Sequence, residues 1–209
     1  MARTLALTFD DGPNPDGTLR VLQRLERHDV RATFFIWGEQ AQEYPDLLRA
    51  LLDGGHSVQP HCWEHVSHWQ RSPAAIAEDV DRVIALLRDN GVPQPTLWRP
   101  PYGHTRHGAT REIAAQRGLA LAGWTINPHD YAGHSAEDML ADVRSQLAGA
   151  EHAVLLLHDG HREPGQLRRR PDAGNTVELV AALLAERVGV FAPLSAGLDD
   201  SLQAGPGTG

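Results

Sequence analysis

The stretch Thr4-Leu5-Ala6-Leu7-Thr8-Phe9-Asp10-Asp11-Gly12-Pro13 decides the fold: a short apolar strand, Thr4 to Phe9, runs directly into two adjacent carboxylates and a glycine-proline turn. On a parallel sheet, strand ends of this kind are where active sites form, because the loops there carry chemistry on a rigid scaffold. Two neighbouring acids repel each other, so their presence at a strand end points to a positive group beside them, a metal ion being the simplest. Asp, Gly, Pro and Asn are also turn formers, and these residues alone read equally well as a turn.

Three later stretches repeat the pattern of a strand meeting a functional loop. His61-Cys62-Trp63-Glu64-His65 sets two imidazoles four residues apart, which one helical turn or a compact loop can aim at one point. Imidazole nitrogen combined with a carboxylate oxygen suits zinc or a similar divalent ion and leaves a coordination position open for water or substrate. In Arg99-Pro100-Pro101-Tyr102-Gly103 two prolines stiffen a strand end and hold an arginine and a tyrosine in fixed directions. Leu155-Leu156-Leu157-His158-Asp159-Gly160 is an apolar strand ending in a histidine, with Leu156 and His158 on one face.

Between these motifs, strands and helices alternate. Strands are expected at 4–9, 32–36, 56–60, 96–99, 120–124, 154–157 and 190–192, and helices at 18–28, 44–53, 72–90, 109–117, 136–147 and 175–187. The helix from Ser72 has the clearest pattern, with Ile76, Val80, Val83, Ile84 and Leu87 on one stripe and Gly91 as a stop. Such alternation implies an α/β fold with a parallel sheet. With 209 residues, 41% of them hydrophobic, the chain supports one domain, expected over 1–197, and residues 198–209 read as a tail.

A formal net charge of -8 argues against nucleic acid and anionic membrane as partners. The lone Cys62 forms no internal disulfide and reads as an inert thiol. The first residues lack the pattern of an export signal, which makes a cytoplasmic location the expectation.

Taken together, the ordered motifs resemble those of the polysaccharide deacetylases, the NodB-homology group of carbohydrate esterase family 4. The resemblance runs over residues 4–192: Thr8 to Pro13 match the first motif, His61 and His65 the second, Arg99 to Gly103 the third and Leu156 to His158 the fifth, with the family phrase Ala-Thr-Phe-Phe at Ala32 to Phe35. The fourth motif departs: Asp130 keeps the family carboxylate, while Tyr131 replaces a tryptophan and Asn127 an earlier acid. Pro60 stands where the family commonly has Asn before the first metal histidine.

The resemblance implies a distorted (β/α) barrel and a metal-dependent hydrolase that removes the N-acetyl or O-acetyl group of a sugar or polysaccharide such as chitooligosaccharide, peptidoglycan or xylan. It implies a divalent cation, Zn²⁺ first with Co²⁺ or Ni²⁺ as alternatives, held by Asp11, His61 and His65, and Asp10 as general base. Arg99 is expected to grip Asp10, the backbone N–H of Tyr102 to help hold the oxyanion, and His158, kept cationic by Asp130, to protonate the leaving nitrogen. Leu156 and Tyr131 are expected to wall the acetyl methyl group. The changed fourth motif keeps open a small amino-sugar or other amide as substrate, and an inactive glycan-binding protein is the reading from another class. The basic stretch His161 to Pro171 follows the histidine motif and reads either as an anion-attracting loop or as a solvated one.

Overall fold

In the computed structural model, which describes residues 3–106, 108–160 and 173–195, β1 (Thr4–Asp10) is the central strand. It pairs in parallel with β6 (His152–His158) along its whole length, from Thr4 opposite His152 to Asp10 opposite His158. Its other edge is shared. β7 (Val190–Phe191) takes Thr4 and Leu5, and β2 (Thr33–Trp37) takes Thr8 to Asp10. Beyond β2 lies β3 (Ser57–Cys62), with a register shift at Ile36 and Trp37, where Pro60, lacking an N–H, is tolerated.

β4 (Leu97–Trp98) and β5 (Ala120–Leu121) form a separate parallel pair that completes the ring. The side chain of Gln59 bridges β3 to it, its Oε1 accepting the N–H groups of Thr96 and Leu97 at 3.0 Å each. Past β5, Ile126 reaches β6 through the Leu156 N–H to Ile126 carbonyl bond at 2.9 Å. The sheet therefore closes as a distorted barrel, in the order expected for consecutive βα units.

β4 and β5 are shorter than the sequence suggests, and the reason is chemical. Arg99 ends β4, two prolines follow it, and its guanidinium occupies the carbonyls of Ala122 and Gly123 that a longer ladder would need. Helices α1 (Thr18–Arg27), α3 (Pro45–Asp53), α4 (Pro73–Asp89), α5 (Ala109–Gln116), α6 (Ala136–Leu147) and α7 (Gly174–Glu186) lie close to the expected ranges. Ser72 caps α4 by accepting the Ala75 N–H at 3.2 Å, with Pro73 in its first turn. α2 (Gly38–Glu43) was not expected: it has little apolar signal and opens on a glycine whose missing Cβ makes room for the Trp63 ring.

The strands alternate cleanly between two surroundings. Leu5, Leu7, Phe9, Phe34, Ile36, Val58, Leu155 and Leu157 pack outward against the helices in the main core. Phe35, Ala6 and Val154 turn inward to a smaller apolar plug with Leu97, Ala122 and Leu194. Continuing up the inward face, the same two-residue period brings Thr8, Asp10, His61, Leu156 and His158 to the carboxyl end of the barrel. The tail from Leu198, the basic stretch 161–171 and His107 lie outside the described residues. No described helix is long and apolar enough to cross a membrane.

Candidate metal centre and active site

Asp10 and Asp11 leave β1 in different directions because Asp11 adopts a left-handed backbone, φ 71°. Asp10 stays inward and buried, and Arg99 donates to its Oδ1 from Nη1 at 2.8 Å. The same nitrogen lies 2.8 Å from Thr8 Oγ1, while Nε and Nη2 bond the Ala122 and Gly123 carbonyls, so this fully buried guanidinium is held at every branch over the Phe35 ring. The loop carrying Asp11 is tied to both neighbouring strands: Trp37 N–H bonds the Gly12 carbonyl at 2.9 Å, and Asp159 N–H bonds the Asp10 carbonyl at 3.3 Å.

Asp11 Oδ1 faces His61 Nε2 at 3.3 Å and His65 Nε2 at 3.2 Å. It is buried and makes no well-aligned hydrogen bond. Donors about 2.0–2.1 Å from one tetrahedral ion stand about 3.3 Å apart, so these separations are those of ligand atoms around a shared cation. His61 adds a second indication. Its Nδ1 lies 2.6 Å from the Arg99 carbonyl, which can only accept, so the proton is on Nδ1 and the Nε2 lone pair points at the centre. The residues present therefore fit a divalent cation. Burial disfavours the charged form of Asp11, yet His65 and His61 outweigh it and hold the carboxyl well below 3.8.

The imidazole pair sits on a strand end and a compact loop rather than on a helix. That loop is shaped by Asp79 of α4, whose carboxylate accepts Trp63 N–H at 2.8 Å, Glu64 N–H at 2.9 Å and Arg71 Nη1 at 2.7 Å. His65 packs between Trp37 and Tyr102.

On the opposite rim, His158 Nδ1 lies 2.8 Å from Asp130 Oδ1, while Asp130 Oδ2 accepts the His158 backbone N–H at 2.8 Å and the Thr176 hydroxyl at 2.9 Å. Burial favours the neutral ring, but Asp130 overrides it, with help from Asp11 and Asp10, and the His158 pKa is pushed up to about 9. A cation at Asp11 works against that last contribution. Tyr131 stands edge-on to His158, with ring centroids 5.4 Å apart at 89°, and receives Asn127 Nδ2 on its hydroxyl at 3.3 Å. Leu156 is buried two residues below His158 on the inward face. Tyr102, at φ 59°, sits half-exposed beside His65, its backbone direction set by Pro100 and Pro101.

All ten residues singled out in the sequence thus line one end of the barrel or its wall. Sequence reasoning missed Asp79, Gln59 and Asp159. Asp79 carried a visible signal, an acid inside the apolar stripe of α4. Asp159 is buried under the Gly12 turn, its Oδ2 accepting the Thr18 hydroxyl at 2.5 Å. Burial, with Asp11 and Asp10 nearby, raises its pKa to about 7 against the opposing Thr18 bond. His68 is buried against Trp98 with Nδ1 paired to Thr110, outside the ligand group.

A family model described as polysaccharide deacetylase matches residues 1–122. The chain belongs to that family. Among relatives of this deacetylase family, the chitooligosaccharide deacetylase of Bradyrhizobium sp. is 34% identical over 183 residues, covering 87% of this chain and 81% of that protein. The peptidoglycan-N-acetylglucosamine deacetylase PgdA of Listeria monocytogenes is 34% identical over 161 residues, and the match spans 77% of this chain but 33% of that protein. Peptidoglycan deacetylase PdaC from Bacillus subtilis superimposes with a TM-score of 0.78 at 25% identity, covering 95% of this chain and 91% of that one. The family 4 carbohydrate esterase from Streptomyces lividans, solved in complex with acetate, gives 0.75 at 27% identity, with 93% and 92% covered.

Proposed function

We propose that this chain is a metal-dependent deacetylase that hydrolyses the N-acetyl, or O-acetyl, group of a sugar in a polysaccharide or oligosaccharide. The observation carrying this reading is the convergence of Asp11, His61 and His65 between two differently prepared proton carriers, Asp10 with Arg99 and His158 with Asp130. The names of the relatives, which act on peptidoglycan and chitooligosaccharide, support the substrate class. Zn²⁺ is the ion that best suits a His, His, Asp donor set, with Co²⁺ or Ni²⁺ as substitutes.

When bound, the cation supplies a Lewis acid that acidifies water and polarises the acetyl carbonyl. Asp10, aimed by the Arg99 guanidinium, takes a proton from the attacking water as its oxygen bonds the carbonyl carbon. The Tyr102 backbone N–H donates to the oxygen on which negative charge develops. His158, with Nδ1 engaged by Asp130, delivers its other ring proton to the nitrogen as the C–N bond breaks. Leu156 and Tyr131 form the wall that receives the acetyl methyl group.

The test is acetate release from N-acetylglucosamine oligomers, acetylated xylan and peptidoglycan. Release that stops on chelation and returns with Zn²⁺ or Co²⁺ is expected; no release from any of them by metal-loaded protein overturns the reading. Asn127 and Tyr131, which reshape the wall beside His158, favour a second reading in which the substrate is a small amino-sugar amide. Faster turnover of monomer than of oligomer would select it.

A further inference from the structure

A file of aromatic rings leads from the metal centre to solvent. The His65 ring meets Tyr102 at 4.6 Å, Tyr102 meets His104 at 5.5 Å, and His104 lies flat against Trp69 at 3.6 Å and 10°. The outermost ring is 55% exposed, and neither Trp69 nor His104 has a part in the chemistry above.

The position of Trp69 is built. It lies in the 3-10 turn His68–Gln70, where Ser67 Oγ accepts its N–H at 3.3 Å and also pairs with His104 Nδ1 at 2.9 Å. Its indole Nε1 donates to the Thr105 carbonyl at 3.1 Å, and its own carbonyl accepts Arg106 Nη1 at 3.2 Å. The indole nitrogen is engaged and one ring face rests on His104, which leaves apolar ring surface toward water. A residue serving only to clasp the two loops would gain more by burying that surface. A rigid aromatic ring held at the mouth of a site is suited instead to an amphipathic flat ligand, at small entropic penalty.

We propose that Trp69, backed by His104, is a stacking subsite for the apolar face of a sugar ring next to, or near, the one being deacetylated, so that the enzyme prefers oligomers to monomers. This rests on the deacetylase reading and deepens it. The ring file fixes the direction in which the chain leaves the centre, outward past Tyr102 over the turn that follows His65.

The experiment compares wild type, Trp69→Ala, Trp69→Phe and His104→Ala, all metal-loaded, on N-acetylglucosamine monomer, dimer and tetramer. In Trp69→Ala the KM advantage of tetramer over monomer is expected to shrink about three- to tenfold, with kcat on tetramer changed less than KM, and Trp69→Phe is expected to recover most of it. An unchanged advantage, or a loss shared equally by monomer and tetramer, overturns the subsite. Should Trp69→Ala fail to fold, His104→Ala, which removes the ring behind the indole, is expected to shrink the tetramer advantage in the same direction, and an unchanged advantage there overturns the subsite. If wild type releases no acetate, the deacetylase reading fails separately. Tetramer binding followed by calorimetry then decides the subsite, a weaker Kd in Trp69→Ala supporting it and an equal Kd refuting it.

Discussion

The two sides of the barrel are held together by different means. Between β1 and β6, seven consecutive residue pairs in one parallel register bring Asp10 opposite His158, so a backbone ladder sets their spacing. Between β3, β4 and β5 the register covers two pairs, and side chains complete the closure: Gln59 by accepting two backbone N–H groups, Arg99 by donating to two carbonyls. On the first side the ladder itself does not depend on the functional side chains. On the second, one arginine is both brace and partner of the Asp10 carboxylate proposed as base.

Arg99→Ala is the most damaging substitution this comparison predicts. It strands the buried Asp10 carboxylate and two carbonyls, so stability is expected to fall by about 3–5 kcal/mol in urea unfolding, with activity lost. Unchanged stability would break the contrast between the two sides. Asp10→Asn keeps an acceptor for Arg99 but no base. It is expected to lower kcat by about 10²–10⁴ while retaining bound metal and unfolding less readily than Arg99→Ala, as metal analysis and a denaturation curve would show. Gln59→Leu leaves the Thr96 and Leu97 N–H groups unpaired, and a loss of about 1–3 kcal/mol is expected with kcat nearly preserved.

The smallest effect lies in pH. The His158 pKa, raised from 6.5 to about 9, means that its charged form stabilises the fold. That contribution is fully present below about pH 6.5 and is lost as pH rises through 9. Asp130→Asn removes the main attraction, so the alkaline limb of kcat is expected to move to lower pH, and the stability gap between wild type and variant, measured on metal-free protein, to be widest below pH 6.5 and to close above 9. A limb that stays in place would assign the alkaline ionisation to another group.

The β1–β6 side was legible in the sequence because its information is local: an apolar run and the polar residue that ends it are adjacent in the chain. The existence of β1 and β6 and the positions of Asp10, Asp11 and His158 followed from that, although β1 runs one residue past the expected 4–9 and β6, expected at 154–157, spans His152–His158. The other side depends on contacts distant in sequence. Nothing near Ala120 shows that a guanidinium more than twenty residues earlier will occupy the carbonyls a longer β5 would have used. Asp159 was passed over for the same reason, since it lies under the Gly12 turn far from it in the chain, whereas Asp79 was visible as an acid in the α4 stripe and only its partners Trp63 and Glu64 were not. α2 lacked any periodic stripe to read.

The double duty of Arg99 bears on how related sequences should be sorted by competence. A related chain without hydrolytic activity still needs its barrel closed beside β4 and β5, so selection for folding alone would preserve this arginine. Its presence in another chain says little about turnover. Asp10, whose carboxylate no backbone group of β4 or β5 relies on, is the position at which inactivation would first leave a trace.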